Sequence, residues 1–395
     1  MTTFDQMWDA IAEVGRDPRG GYTRDAWSAA DLELREWFRQ EAHRRGLAYH
    51  EDRNGNQWAW WGDPDAAPGV VTGSHLDSVR RGGAYDGPLG VVSALAAIDT
   101  LRESGIRPVR PVGVVVFADE EGARFGVPCV GSRLLTGALH PDAARALADD
   151  DGVTLADALR RAGRDPGGLG RDEETLRRIG VFVELHVEQG RSLVHHDAPV
   201  GVASGIRPHG RWRFDFRGRA DHAGTTRLED RDDPMLPFAR LVCAARDAAR
   251  RRGALATVGR VRVDPGNANA IPGAVSAWLD ARGPAEAAVH SLVEELAEAT
   301  GGRVTRESWS PAVEFDRALR DRLAEALGGA PVLDTGAGHD AGILAAAGIP
   351  SAMVFVRNPT GISHSPEEHA ERADCHAGVR ALSAALRSAL EEGCR

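Results

Sequence analysis

The sequence predicts an α/β protein: a mostly parallel sheet flanked by helices, interrupted by an inserted α+β domain. Three observations carry this. Short apolar runs alternate with helical stretches in the first half, the style changes to a half-polar alternation near Arg211, and the buried pattern returns from about Glu314. At 395 residues the chain is too long for one ordinary core, which points to two domains.

In order, Val70 to His75 reads as a strand, Val91 to Leu101 as a helix, and Val112 to Phe117 and Val181 to Val187 as further buried strands. From Arg211, Trp212, Phe214 and Phe216 alternate with Arg213, Asp215 and Arg217, the period of a strand with one wet face. A helix near Pro234 to Arg251, strands near Ala256 to Val263 and Val275 to Asp280, a helix from Pro284 and a strand around Val304 complete that unit. A helix, the apolar runs Pro331 to Leu333 and Ala352 to Val356, and a last helix from Cys375 to Leu390 follow. The expected division is 1–209 with 312–395 as one domain and 210–311 as the insertion. The acidic run Asp149 to Asp151 reads as a solvated loop.

Hydrophobic residues make up 42% and charged residues 27%, an ordinary globular balance. The 58 acidic against 48 basic residues give a net charge of −10, and no basic block could track a phosphate backbone, so nucleic acid is not an expected partner. Met1 to Ala10 lacks the features of a signal peptide and no apolar stretch reaches membrane-spanning length, so a cytoplasmic protein without a membrane partner is expected. Cys129, Cys243, Cys375 and Cys394 have no paired spacing, so any metal must be held by His, Asp and Glu.

Five stretches carry candidate chemistry. Gly73-Ser74-His75-Leu76-Asp77 ends an apolar strand in a histidine, with Asp77 placed to hold the ring of a metal-binding His75 from behind; an ordinary strand-end histidine is the alternative. Gly82 to Gly90 wraps glycines around Asp86 just before a helix, where the acid is either a ligand or a helix cap. Asp119-Glu120-Glu121 crowds three carboxylates at a strand end, which is costly unless cations sit nearby, a proton is shared, or all three face water. Glu184-Leu185-His186-Val187-Glu188-Gln189 and Ile362-Ser363-His364 each place a histidine at a strand end, where open α/β sheets build their sites.

Taken together, GSHLDS, GGAYDGPLGV, DEEGARF, ELHVEQG, DHAGTT, NAIPG, GAGHDA and SHSPEE, in this order, resemble the M20 metallopeptidase-type amidohydrolases. The resemblance is to the branch of N-carbamoyl-L-amino acid hydrolases, allantoate amidohydrolases and β-ureidopropionases, over nearly the whole chain. It implies a catalytic domain holding two divalent ions (zinc, manganese, cobalt or nickel), with the insertion as a lid and dimerisation domain. His75, Asp86 and His186 would hold one ion and Asp86, Glu121 and His364 the other. Glu120 would be the general base, with Asp77 as support. His222 would reach across a homodimer interface to stabilise the oxyanion. Gln189, His209, Asn269 and Arg282 would contact the small-molecule substrate, Arg282 gripping its carboxylate.

The resemblance implies cleavage of a C–N bond in a ureido or amide compound. GGAYDGPLGV and DEEGARF lean toward the carbamoylase pattern, whereas FGVPCVGSRLLTG resembles the allantoate-degrading chains. An M20 aminoacylase or dipeptidase is the alternative enzyme, and an inactive metal- or ligand-binding dimer the alternative of another kind. Three departures stand out: His209 occupies a place where relatives carry glutamine, Thr335 replaces a serine before GAGHDA, and Asn267 stands two residues before Asn269, with the spacing to Pro272 and Arg282 favouring Asn269. The backbone amides of that last loop, Gly336 to Asp340, precede a helix and could cradle an anion.

Overall fold

The structure is a computed structural model and describes residues 2–391; Cys394 lies outside the described residues. The chain divides into two compact units, Met1–Gly205 with Glu314–Arg395, and Ile206–Val313.

The first unit is built on the strands β1 (Ala48–Glu51), β2 (Gln57–Trp61), β3 (Gly69–His75), β4 (Val112–Phe117), β5 (Ile179–Val187) and β6 (Val200–Ile206). The second contributes β7 (His209–Arg217), β8 (Asp221–His222), β9 (Leu255–Asp264), β10 (Ala270–Ile271), β11 (Ala274–Arg282) and β12 (Arg303–Ser310). Then come the short β13 (Val313–Glu314), β14 (Val332–Thr335) and β15 (Ser351–Val356).

Among the described residues the main sheet has nine strands in the order β1-β2-β4-β3-β5-β15-β6-β13, with β14 paired to β6. β4, β3, β5 and β15 are mutually parallel neighbours, while β2 joins β4 and β6 joins β15 antiparallel. The parallel centre explains the continuous apolar runs: β3, β4 and β15 are buried at every residue, as strands covered on both faces must be. The helix Pro88–Glu103 is apolar nearly all round because it packs on β3 and β5 on one side and on the helix Arg372–Glu391 on the other. Gly87, at φ 88°, caps its start and Pro88 opens it.

The second unit is a four-stranded antiparallel sheet, β12-β7-β11-β9. Along β7 and β11 buried residues alternate with more exposed ones, the half-wet face that the alternation near Arg211 predicts. Trp212, Phe214, Phe216, Val275, Ala277 and Leu279 form its core with the helices Met235–Arg252 and Glu286–Thr300. The antiparallel pair β1-β2 and the short helices between Val130 and Arg177 were not expected. Nor is Asp149 simply solvated, since it accepts from Arg124 Nε at 3.0 Å and from the Val153 amide at 2.8 Å; Asp150 and Asp151 are exposed.

Candidate metal centre

Because β4, β3, β5 and β15 run the same way, their carboxyl ends lie along one edge, and the loops leaving that edge carry the site. His75 is the last residue of β3 and His186 the last but one of β5. Asp119 to Glu121 follow β4, and His364 follows β15 with its backbone at φ 56°, a conformation rarely adopted outside glycine.

The two strand-end rings are oriented by main chain. His75 Nδ1 lies 3.0 Å from the carbonyl oxygen of Asp77, and His186 Nδ1 lies 2.9 Å from that of Val187. A carbonyl only accepts, so each Nδ1 carries the proton and each Nε2 is left for a proton or a metal. Both Nε2 atoms are buried and make no aligned hydrogen bond. Gly87 lets this happen on one side: a Cβ there would stand 2.4 Å from the His75 ring. The side chain of Asp77, expected behind His75, is 3.5 Å from Nδ1; its own carbonyl is the closer partner.

Asp86 is not a helix cap, since Gly87 occupies that position. Its carboxylate is buried and its oxygens part company. Oδ1 lies 3.1 Å from His186 Nε2 and 3.6 Å from His75 Nε2, whereas Oδ2 lies 3.4 Å from His364 Nε2. His364 Nε2 is also 3.4 Å from Glu121 Oε2. Two ligand sets result, His75/Asp86/His186 and Asp86/Glu121/His364, each with donor atoms within 4.8 Å of one another. Imidazole and carboxylate donors converging with unpaired Nε2 atoms fit divalent metal ions. Gln189 donates its amide to Asp86 Oδ2 at 2.8 Å, so this amide, expected at the substrate, is engaged by the shared carboxylate.

Glu120 points at the same space, its Oε2 3.7 Å from His75 Nε2. Asp77 fixes the loop beneath it by accepting the backbone amides of Glu120 and Glu121 at 3.1 and 3.0 Å. Cys129 adds a thiol contact to Glu120 Oε1 at 3.5 Å and donates its amide to the Glu120 carbonyl at 2.7 Å. Burial pushes the Glu120 carboxyl well above the usual range against the pull of His75, and pushes Glu121 up to about 7, with Asp86 adding to the effect. Asp86 goes the other way: burial would raise it, but His186, His364 and His75 hold it well below the ordinary value. The hydrogen bond to Asp86 lifts His364 to about 9, and His75, despite burial, is raised by Glu120 and Asp77. The carboxylates thus demand positive charge here, whether proton or metal ion supplies it.

A buried layer lies behind the histidines, and of its members sequence reasoning passed over Glu184. Glu184 shares a face of β5 with His186; it accepts from Ser74 Oγ at 2.8 Å and from the Ala341 amide at 3.0 Å. The Ala341 amide in the first turn of the helix Asp340–Ala346 thus meets the protein's own Glu184, whereas in the preceding loop the Ala337 amide donates to Thr335 Oγ1 at 3.0 Å. The His339 ring lies 4.5 Å from the His186 ring and is tilted 60° to it, and Asp340, pushed to about 8 by burial and by Glu184, accepts from the Ser132 hydroxyl. Period-two alternation along ELHVEQG was the available signal for Glu184.

His75, Asp77, Asp86, Glu120, Glu121, His186, Gln189 and His364 all meet in the first unit. His209, His222, Asn269 and Arg282 belong to the second. There, Arg282 and His209 are register partners on β11 and β7, and Arg282 is held by Asp280 at 2.7 Å. His222 is exposed on β8, paired to β10 beside Asn269, and its Nδ1 accepts from the Gly224 amide at 3.0 Å.

Residues 63–388 match Peptidase family M20/M25/M40. The chain belongs to this family. It is 36% identical over 401 residues to the N-carbamoyl-L-amino acid amidohydrolase of Geobacillus stearothermophilus, covering 97% of each chain. It is 32% identical over 393 residues to the allantoate amidohydrolase of Escherichia coli, covering 95% of each. Among solved structures, a hydantoinase/carbamoylase family amidase from Burkholderia vietnamiensis superposes with a TM-score of 0.88 at 31% identity, covering 100% of this chain and 98% of that one. AtUAH in complex with glyoxylate gives 0.87 at 28%, covering 98% and 96%. The M20 chain is therefore a hydrolase of the amidohydrolase group, with clusters of His, Asp and Glu that could bind metal. No described helix is long and apolar enough to cross a membrane.

Proposed function

We propose that this M20 chain uses two divalent cations and water to cut the C–N bond of a linear ureido or amide compound bearing a carboxylate, an N-carbamoyl-L-amino acid or allantoate. The observation that carries the reading is the division of Asp86, one oxygen toward His75 and His186 and the other toward His364. The relatives that match over their full length are named for these activities.

His75, Asp86 and His186 would hold one ion and Asp86, Glu121 and His364 the other, and zinc, manganese, cobalt or nickel would suit these donors. When bound, the ions would polarise the scissile carbonyl and lower the pKa of water. Glu120, buried beside His75 and outside both ligand sets, takes a proton from the attacking water and returns it to the leaving nitrogen. The water oxygen bonds to the carbonyl carbon and one C–N bond breaks, its nitrogen taking the proton from Glu120. From a ureido group the other product is a carbamic acid, whose remaining C–N bond breaks as it loses carbon dioxide, so that ammonia, carbon dioxide and the amine are the products.

His222 accepts at Nδ1, so its neutral ring carries the proton on Nε2, the form that donates to an oxyanion. We assign it to a partner subunit's site in a homodimer. Exposed apolar side chains on the edge strand β9, where Val261 is 48% exposed, and on the helix Met235–Arg252, where Leu236 is 61% exposed, would favour that association. Arg282, with His209, Asn269 and the amide oxygen of Gln189, whose nitrogen is held by Asp86, would bind the substrate.

The test is ammonia release by metal-loaded protein over a panel of N-carbamoyl-L-amino acids, allantoate, ureidoglycolate and N-acyl amino acids. Turnover of ureido compounds is expected. Release of free acyl groups without ammonia would make the protein an aminoacylase instead.

A further inference from the structure

Glu368 is 5% exposed, yet it follows His364 by only four residues in a loop whose other polar side chains are exposed or half-buried. Its Oε1 accepts the backbone amides of Tyr85 at 2.9 Å and Asp86 at 3.0 Å. Its Oε2 accepts from Ser363 Oγ at 3.2 Å, and the same hydroxyl lies 3.2 Å from Asp86 Oδ2. Gly83 makes room: a Cβ there would stand 2.3 Å from Glu368 Oε1 and 2.4 Å from its Cβ. One carboxylate thus ties the backbone of Asp86, more than 270 residues away in sequence, to the loop of His364.

We propose that Glu368 is the positioning residue of the second cation site, fixing the distance between Asp86 and His364 so that both can hold one ion. The proposal rests on the two-cation reading above. The first ligand set depends on this tie less, because it meets the tie only through Asp86, while His75 and His186 are fixed by strand ends and main-chain carbonyls. The second set draws its ligands from three loops, and between those of Asp86 and His364 the tie to the backbone runs through Glu368, beside the direct contact of the Ser363 hydroxyl with Asp86. Removing an outer hydrogen bond of this kind typically weakens metal binding about 10- to 100-fold.

The experiment titrates manganese(II) into the chelator-stripped full chain, with stoichiometry read by calorimetry and ion pairing by electron paramagnetic resonance. Wild type should bind two equivalents and give the signal of a coupled pair. Glu368→Ala should keep the first equivalent, weaken the second about 10- to 100-fold and show isolated manganese. Glu368→Gln, whose amide oxygen can still accept from Tyr85 and Asp86, should restore the pair. Gly83→Ala, which displaces the carboxylate without removing it, should resemble Glu368→Ala and stands in for it if that variant does not fold. Two unchanged equivalents in both Glu368→Ala and Gly83→Ala, folded by circular dichroism, would overturn the proposal. A wild type that binds fewer than two equivalents would instead overturn the two-cation reading.

Discussion

Asp77 accepts the backbone amide of Glu120 at 3.1 Å through one oxygen and spends its other oxygen on the next residue, at 3.0 Å. This carboxylate therefore sets where the proposed base and the neighbouring ligand begin. Asp77→Ala leaves buried amides unpaired and should cost roughly 1 to 3 kcal/mol of stability. Its kcat should fall while KM changes little, because the base moves and the substrate contacts do not. Thermal melts and steady-state kinetics check both; an unchanged kcat in the folded variant would remove Asp77 from this role.

Glu120→Gln separates chemistry from metal binding. The variant should retain both ions by elemental analysis and lose turnover by about 100-fold or more, the usual contribution of a general base. His364→Ala should instead lose an ion together with activity. Chelator-treated wild type should be inactive and recover on adding zinc, manganese, cobalt or nickel. Full activity in Glu120→Gln would end the assignment of the base.

If His222 serves the neighbouring subunit, two dead variants should rescue each other. His222→Ala and Glu120→Gln, mixed and allowed to exchange subunits, should form hybrid dimers with one competent site and regain about a quarter of the wild-type rate. Sedimentation should show a dimer. No rescue after demonstrated exchange would place His222 in its own subunit's site or outside catalysis.

Asp31, outside both ligand sets, gives a stability prediction. Burial pushes it to about 6 against the opposing pull of Arg35, although it accepts the Trp27 amide at 2.8 Å. The folded state thus holds the proton more tightly than the unfolded chain, whose carboxyl titrates near 3.8. The stabilisation is complete below that value and is lost as pH rises through about 6, amounting to ~3 kcal/mol. Urea denaturation of Asp31→Asn, which keeps an acceptor for Trp27 but cannot ionise, should show a flatter pH profile than wild type between 4 and 7. Parallel profiles would refute this.

The parallel core and the ends of its strands were legible because fully buried strands write themselves as apolar runs and their terminal polar residues stand out, as His75 and His186 do. The hydrogen-bond partners were less so. Glu368 sits beside the equally acidic Glu367, and only the fold reveals that one is buried against Gly83 while the other accepts from Ser365 at the surface. The pair β1-β2 was missed for a related reason: edge pairing is decided by what lies across the sheet, and local periodicity carries no record of it.

The main-chain anchoring of the two strand-end imidazoles has a consequence for engineering. A carbonyl cannot be substituted away, so each ring keeps the main-chain acceptor of its Nδ1 proton whichever supporting side chain is exchanged. Attempts to retune which transition metal the enzyme favours will find their leverage in the loop-borne donors, while the strand-borne pair stays a fixed platform.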